Sequence, residues 1–197
     1  MGLIRLPRLS VYSTYTVILF MLNFLIFATP LLARSGSGYN TLLYSAFSSI
    51  CHQSTVRSLC LYADGIGECM PQTGGFSGSK EITVERPDGS VGYKFPVCAR
   101  DMAIYATMFV GGLILPFLTD KKRKQIPTLL ILMLAAAPTG IDGITQMLGW
   151  RESTNPVRII TGAVLGLAIP FFLIPTANVL VGKIGKKSGS RGAKRQR

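Results

Sequence analysis

The sequence predicts an all-α integral membrane protein with four transmembrane helices, a short amphipathic helix, and a small extracytoplasmic loop carrying a β-hairpin. Three observations predict it. Hydrophobic residues fill 48% of the 197 positions, and mean hydropathy is +0.39. The apolar residues gather into four blocks, each near the ~20 residues a helix needs to cross a bilayer. Most of the 21 Lys and Arg flank those blocks: Arg5 and Arg8, the run KKRK at 121–124, and the tail from Lys183 to Arg197. The positive-inside rule assigns all three places to the cytoplasm. Four crossings with both termini cytoplasmic satisfy it, which makes this a multi-pass protein of the cell membrane. The net charge of +12 then serves topology and contact with anionic lipid. No aromatics interleave the basic tail to stack bases, so nucleic acid is not an expected partner.

The elements follow in order. Residues 1–11 are a cytoplasmic N-terminus and 12–33 the first span. That block exceeds the ~7–15 apolar residues of a signal peptide, so it reads as an uncleaved anchor, although PLLAR offers a small residue at Ala33 for cleavage. Residues 34–96 are extracytoplasmic. SGSG at 35–38 is a flexible joint. In YNTLLYSAFSSICHQ, Leu42, Leu43, Ala46, Phe47 and Ile50 share a helical face opposite Asn40, Thr41, Ser45, Ser48 and Ser49. Such a helix lies in the outer interface and delivers Cys51 and His52 at its end. The polar remainder holds a hairpin: Ile82 to Val84, a turn at Pro87-Asp88-Gly89, then Val91 to Phe95.

The second span, 97–118, has Arg100 and Asp101 in its first turn. Residues 119–125 are a cytoplasmic basic loop. The third span, 126–150, takes Pro127 in its first turn, where the missing N–H matters little, and Pro138 mid-span, where a kink or a freed carbonyl is expected. Residues 151–156 are an extracytoplasmic loop, 157–181 the fourth span and 182–197 a basic cytoplasmic tail. Gly162 and Gly166, four apart in GAVLG, suit close helix packing, within the bundle or in a homodimer.

Depth sorts the polar residues. Trp150 marks the outer interface, and Asp142, eight residues earlier, lies about 12 Å deeper at ~1.5 Å per residue. Thr139, Asp142 and Gln146 share a face. Arg100, Asp101, Asp142, Arg151, Glu152 and Arg158 therefore converge on the outer half of the bundle. Charges in lipid must pair or line a wet cavity. One reading is an ion-paired plug, Asp142 with Arg158 and Asp101 with Arg151. The other is an outward-facing pocket whose arginines grip a phosphate or carboxylate in a bidentate fork.

All four cysteines fall on the extracytoplasmic side, where disulfides are permitted. Of three connectivities, Cys60–Cys69, closing a short loop, with Cys51–Cys98 is preferred. A zinc site on Cys51, His52, Cys98 and Asp101 competes, since all are zinc ligand types. His52, the lone histidine, is either a general base near neutral pH or a hydrogen-bonded structural residue.

CHQSTVRS (51–58), FPVCARDMAIYATMFVGG (95–112), IDGITQMLGWRESTNPVRIITG (141–162) and Gly166 together resemble the signature blocks of an uncharacterised family of small prokaryotic multi-pass membrane proteins. The resemblance spans roughly residues 45–167. By it, Cys51, His52, Arg57, Cys98, Arg100, Asp142, Gln146, Arg151, Ser153, Thr154, Asn155 and Arg158 match family motif positions. The family commonly has Cys-x-Arg-Cys where this chain has Cys98-Ala99-Arg100-Asp101. Asp101 can ligate a metal but cannot form a disulfide, which weakens a dithiol role. The resemblance implies membrane residence and supplies no activity.

Three functional expectations result. In the first, the pocket binds, and if it is an enzyme processes, an anionic membrane lipid or lipid-linked substrate. Arg57, Arg100, Asp101, Arg151 and Arg158 contact it, Gln146, Ser153, Thr154 and Asn155 orient it, and Asp142 or His52 moves protons. In the second, Cys51, His52, Cys98 and Asp101 form a metal- or thiol-dependent redox centre. In the third, the polar layer only fixes helix packing in a non-enzymatic scaffold.

Overall fold

The computed structural model describes residues 10–69 and 81–194, with side chains through Lys183. Arg5 and Arg8, the stretch 70–80 and the tail's side chains beyond Lys183 lie outside the described residues. Among the described residues, four helices are long and apolar enough to cross a membrane: α1 (Val11–Arg34), α3 (Ala99–Leu118), α4 (Leu129–Met147) and the part of α5 up to Lys183. α5 itself spans Asn155–Lys194, and α2 is the short helix Tyr39–Phe47. A four-stranded antiparallel sheet lies between α2 and α3. Its strands β1 (Ser58–Tyr62), β2 (Gly65–Glu68), β3 (Thr83–Glu85) and β4 (Val91–Cys98) are ordered β2-β1-β4-β3.

Local chemistry sets the helix starts. Ser10 caps α1, its Oγ accepting from the Ser13 N–H at 3.1 Å, the exchange expected of an N-cap serine. Cys98 does the same for α3 through sulfur, accepting from the Asp101 N–H at 3.5 Å. The last residue of the central strand β4 is thus also the cap of a membrane helix, and the sheet is fixed rigidly to the bundle.

α3 and α5 form the bundle centre because small residues let them touch. A Cβ on Gly166 would sit 2.5 Å from the Ile104 carbonyl oxygen, and one on Gly162 would sit 2.7 Å from that of Arg100. Both distances are too short for any side chain, so α3 occupies the glycine face within the chain. α1 packs on α3 by the same means. The Tyr15 ring covers Gly112, and its hydroxyl donates to the Met108 carbonyl at 2.8 Å. Asn23 donates to the Tyr105 carbonyl at 3.1 Å. At the basic end, Asn178 ties α5 to the α3–α4 loop by donating to the Lys121 and Arg123 carbonyls.

α4 is inverted relative to a helix of a water-soluble domain. Leu129, Leu130, Ile131, Met133, Leu134, Ile141 and Ile144 face outward, and the residue it buries is Asp142. Apolar side chains outside and a charge inside is the arrangement that lipid favours. Thr139 joins α4 to α5 by donating to the Thr161 carbonyl at 2.8 Å.

Four sequence expectations are corrected. Strands β1 and β2 lie where the sequence pattern marks no strand. Gly65 and Gly67 with short apolar stretches give them weak periodicity; β1 is made a strand by pairing with β4, and β2 by pairing with β1. α2 ends at Phe47 and buries Tyr44 and Phe47, while Leu42 and Ile50 are exposed. The face is chosen by Phe95 and Ile26, which form a core with Phe47, rather than by an interface plane. Pro127 precedes α4 instead of lying in its first turn, because the helix starts at Leu129. α4 stops at Met147 rather than running on to Trp150, and Gly149 at φ +71° turns the chain.

Candidate anion and metal cleft

The sheet end of the bundle holds a cleft of about 280 Å³, lined by Ile50 to Ser54, Arg57, Cys98, Arg100, Asp101, Gln146 and Arg158. Residues from the α2–β1 turn, the start of α3, the end of α4 and the first turn of α5 meet there. Three lengths of chain far apart in sequence supply it, so the cleft is a property of the fold.

A hydrogen-bonded ring around the turn after α2 positions Cys51 and His52. Lys94 is fully buried on β4 and donates from Nζ to the Gln53 carbonyl at 2.7 Å. Gln53 Nε2 donates to the Tyr44 carbonyl at 2.6 Å, and the Tyr44 hydroxyl donates back to the Lys94 carbonyl. Gln53 is held at φ +55°, a left-handed conformation found at no other non-glycine among the described residues. Such backbone costs of order 1–3 kcal/mol and persists only when its surroundings enforce it. Here a buried ammonium and two further bonds do so. The one trace of this ring in the sequence is a lysine inside an otherwise apolar strand.

Cys60 and Cys69 are joined in a disulfide between β1 and the end of β2, with Cα atoms 5.2 Å apart. Cys51 and Cys98 are free thiols, which corrects the second expected bridge. They remain neighbours: the Cys98 N–H donates to Cys51 Sγ at 3.2 Å. The hydrogen bond from the Cys98 thiol, helped by the backbone N–H groups of Gln53 and Cys98, brings Cys51 down to about 7 against the opposing effect of burial. Cys98, which carries the shared proton and is itself buried, is pushed up. Cys51, Cys98 and Asp101 place one ligand atom each within 4.8 Å of the others. His52 lines the same cleft but stands outside that trio, so the expected four-residue zinc set is reduced to three.

The expected plug has different partners. Asp142 is 1% exposed. One carboxylate oxygen accepts from Arg100 and from the Ser153 hydroxyl, the latter at 2.7 Å; the other accepts from Arg151. Arg158 is not its partner, and Asp101 makes no ion pair with Arg151. With both oxygens engaged and no surface in the cleft, Asp142 is placed as an anchor for two arginines and a loop serine. Thr154 and Arg151 are exposed. Asn155 is buried and takes Arg158 Nη1 at 3.0 Å on its Oδ1.

Arg57 and Arg158 meet on one neutral acceptor. In the amide orientation its neighbours require, the Gln146 oxygen accepts from Arg158 Nη2 at 2.8 Å and from Arg57 Nε and Nη2 at 3.1 and 3.0 Å. Neither guanidinium has a carboxylate partner among the described residues. Arg100, one residue before Asp101, has a buried Nε with no hydrogen-bond partner. Two unneutralised cations focused on one point beside a spare guanidinium donor form a local positive field in a partly desolvated cleft.

The comparisons with known proteins bear on this region. A family model described as "Predicted membrane protein (DUF2085)" matches residues 89–172. An uncharacterized protein of Methanocaldococcus jannaschii, MJ1492, is 31% identical over 171 residues, covering 83% of this chain and 91% of that protein. The chain belongs to the DUF2085 family of predicted membrane proteins. A second relative, an uncharacterized protein of Methanothermobacter thermautotrophicus, is 39% identical over 90 residues, 43% of this chain and 77% of that one. No solved structure matches. The DUF2085 match contains Cys98 to Asp101, Asp142, Gln146 and Arg158; the wall from Ile50 to Arg57 precedes it.

Proposed function

We propose that this membrane protein binds an anion in the sheet-end cleft, and that the anion is the phosphate of an anionic lipid or of a lipid-linked molecule. The observation that carries the reading is the convergence of Arg57 and Arg158 on the Gln146 carboxamide oxygen without a carboxylate. Arg158 is buried and Arg57 is exposed; bringing a second guanidinium up to a buried one is unfavourable unless something negative joins them. A phosphate oxygen accepts their paired N–H groups better than an amide can. Displacing Gln146 frees three N–H donors for it, two from Arg57 and one from Arg158. The cleft sits where the spans end, at the depth of head groups. With the basic loop and tail facing the cytoplasm under the positive-inside rule, it opens on the outer leaflet.

Asp142 serves this reading by holding Arg100 and Arg151 in place, and Ser153 and Asn155 by fixing the segment that leads to Arg158. His52, exposed at the rim, is the candidate for proton transfer if the bound group is also processed.

The test is titration of the purified full chain in neutral detergent with phosphatidylglycerol, phosphatidylcholine and inorganic phosphate, read by native mass spectrometry. Saturable phosphatidylglycerol binding that falls at least about tenfold in Arg158→Ala, the loss expected for a buried charge-assisted contact of ~1.5–3 kcal/mol, supports the reading. Binding of inorganic phosphate with the same dependence assigns a soluble anion instead of a lipid. Equal uptake of both lipids, unchanged by Arg57→Ala and Arg158→Ala, rules the anion site out.

A further inference from the structure

We propose that Cys51, Cys98 and Asp101 form a three-ligand zinc site at the wall of the cleft, its fourth position facing the opening. Their ligand atoms, two sulfurs and a carboxylate oxygen, lie within 4.8 Å of one another. Ligands bound tetrahedrally at ~2.0–2.3 Å sit roughly 3.3–3.8 Å apart. The contraction needed is at most about 1–1.5 Å. Cys98 and Asp101 have the two-residue gap common in zinc ligand pairs, here at the cap and first turn of α3. Cys51 arrives from the turn that the Lys94–Gln53–Tyr44 ring holds fixed.

Three features favour a metal over two idle thiols. Each sulfur accepts a backbone N–H, Cys51 from Cys98 at 3.2 Å and Cys98 from Asp101 at 3.5 Å. Donors aimed at sulfur stabilise thiolate, the ligating form. The N-terminus of the 20-residue helix α3 points its positive end at the same spot. The Asp101 carboxylate, although Arg57, Arg100 and Arg158 line the same cleft, has neither an ion pair nor a hydrogen bond among the described residues. What the carboxylate does stand beside is the two sulfurs, each within 4.8 Å of its oxygen.

Charge is consistent with this. Two thiolates and a carboxylate around Zn²⁺ carry −1, the same as two thiols and a carboxylate, so loading leaves the charge felt by Arg57 and Arg158 unchanged. Three protein ligands with one open position is the coordination of zinc sites that take a water or substrate oxygen. The site stands apart from the anion reading; where both hold, an oxygen of the anion fills the open position.

The experiment is metal analysis of the full chain, expressed with zinc and purified anaerobically in neutral detergent, with Co²⁺ exchange on the unaltered protein. About one zinc per chain is expected, with a cobalt–thiolate charge-transfer band in the near ultraviolet. Cys51→Ser and Asp101→Ala should each lower zinc content by at least about tenfold. Arg158→Ala should keep its zinc while losing the anion, which separates this site from the anion site. The Co²⁺ spectrum needs no variant, so misfolding of a substituted chain does not obscure the answer. Absence of both zinc and the cobalt band overturns the proposal, as does a Cys51–Cys98 disulfide in the anaerobic preparation. So does zinc that leaves with Arg158→Ala but stays in Cys51→Ser.

Discussion

Replacing Asp142 by asparagine is the most discriminating perturbation of the polar layer. The side chain is almost fully buried and serves three donors. The two arginines are unequal. Arg100 is 19% exposed in its side chain and Arg151 is 46%. Removing one partner of a buried pair costs about 3–5 kcal/mol because the other charge is left uncompensated, whereas a largely exposed pair contributes about 0–1 kcal/mol. Asparagine keeps one acceptor for Ser153 or Arg100, so the lower end applies and Asp142→Asn should cost about 3 kcal/mol. For a chain of this length that is a fall of roughly 6–12 °C in unfolding temperature. Trp150, the single tryptophan, adjoins Arg151 and reports the transition by fluorescence in detergent. A double-mutant cycle locates the loss: coupling to Arg100→Met should reach about 2 kcal/mol, and coupling to Arg151→Met should stay under ~1 kcal/mol. A loss of only ~0.6 kcal/mol, the average for an interhelical hydrogen bond in a membrane protein, would refute the view of Asp142 as a charged anchor. Equal coupling to both arginines would refute the ranking by burial.

Other substitutions probe the frame around the cleft. Gly166→Ala places a methyl 2.5 Å from the Ile104 carbonyl oxygen; backbone cannot yield as a side-chain tip does, so a loss of about 2–3 kcal/mol by denaturant titration is expected. Cys60→Ser with Cys69→Ser opens a loop of sequence separation 9, worth about 2.5–3 kcal/mol by chain entropy. Proteolysis should then cut the sheet while α1, α3, α4 and α5 stay protected. Lys94→Met removes the donor that holds Gln53 at φ +55°; a loss of about 1.5–3 kcal/mol should come with faster alkylation of Cys51, measured by mass spectrometry, because the turn carrying it relaxes.

The four apolar blocks are legible in the sequence because hydropathy over ~20 residues is a one-dimensional property. So is the β3–β4 hairpin, whose strands and turn are adjacent along the chain, and so is the Cys60–Cys69 bridge, which closes a short loop. The gathering of Arg100, Asp142, Arg151, Ser153, Asn155 and Arg158 at one end follows from counting depth along helices. Depth, however, leaves rotation about each helix axis and the choice of neighbour undetermined. The pairing of Asp142 with Arg100 and Arg151 instead of Arg158 depends on α5 meeting α3 through Gly162 and Gly166, which turns Arg158 toward Arg57 and Gln146. The Cys51–Cys98–Asp101 trio depends on β4 running directly into α3 and on a buried lysine fixing a turn 41 residues before it in the chain. The sequence thus determined which segments suit lipid and at what level its polar groups lie, since burial free energy sums locally. Only the tertiary structure decided which charges meet, because that depends on the angle at which packed helices face one another.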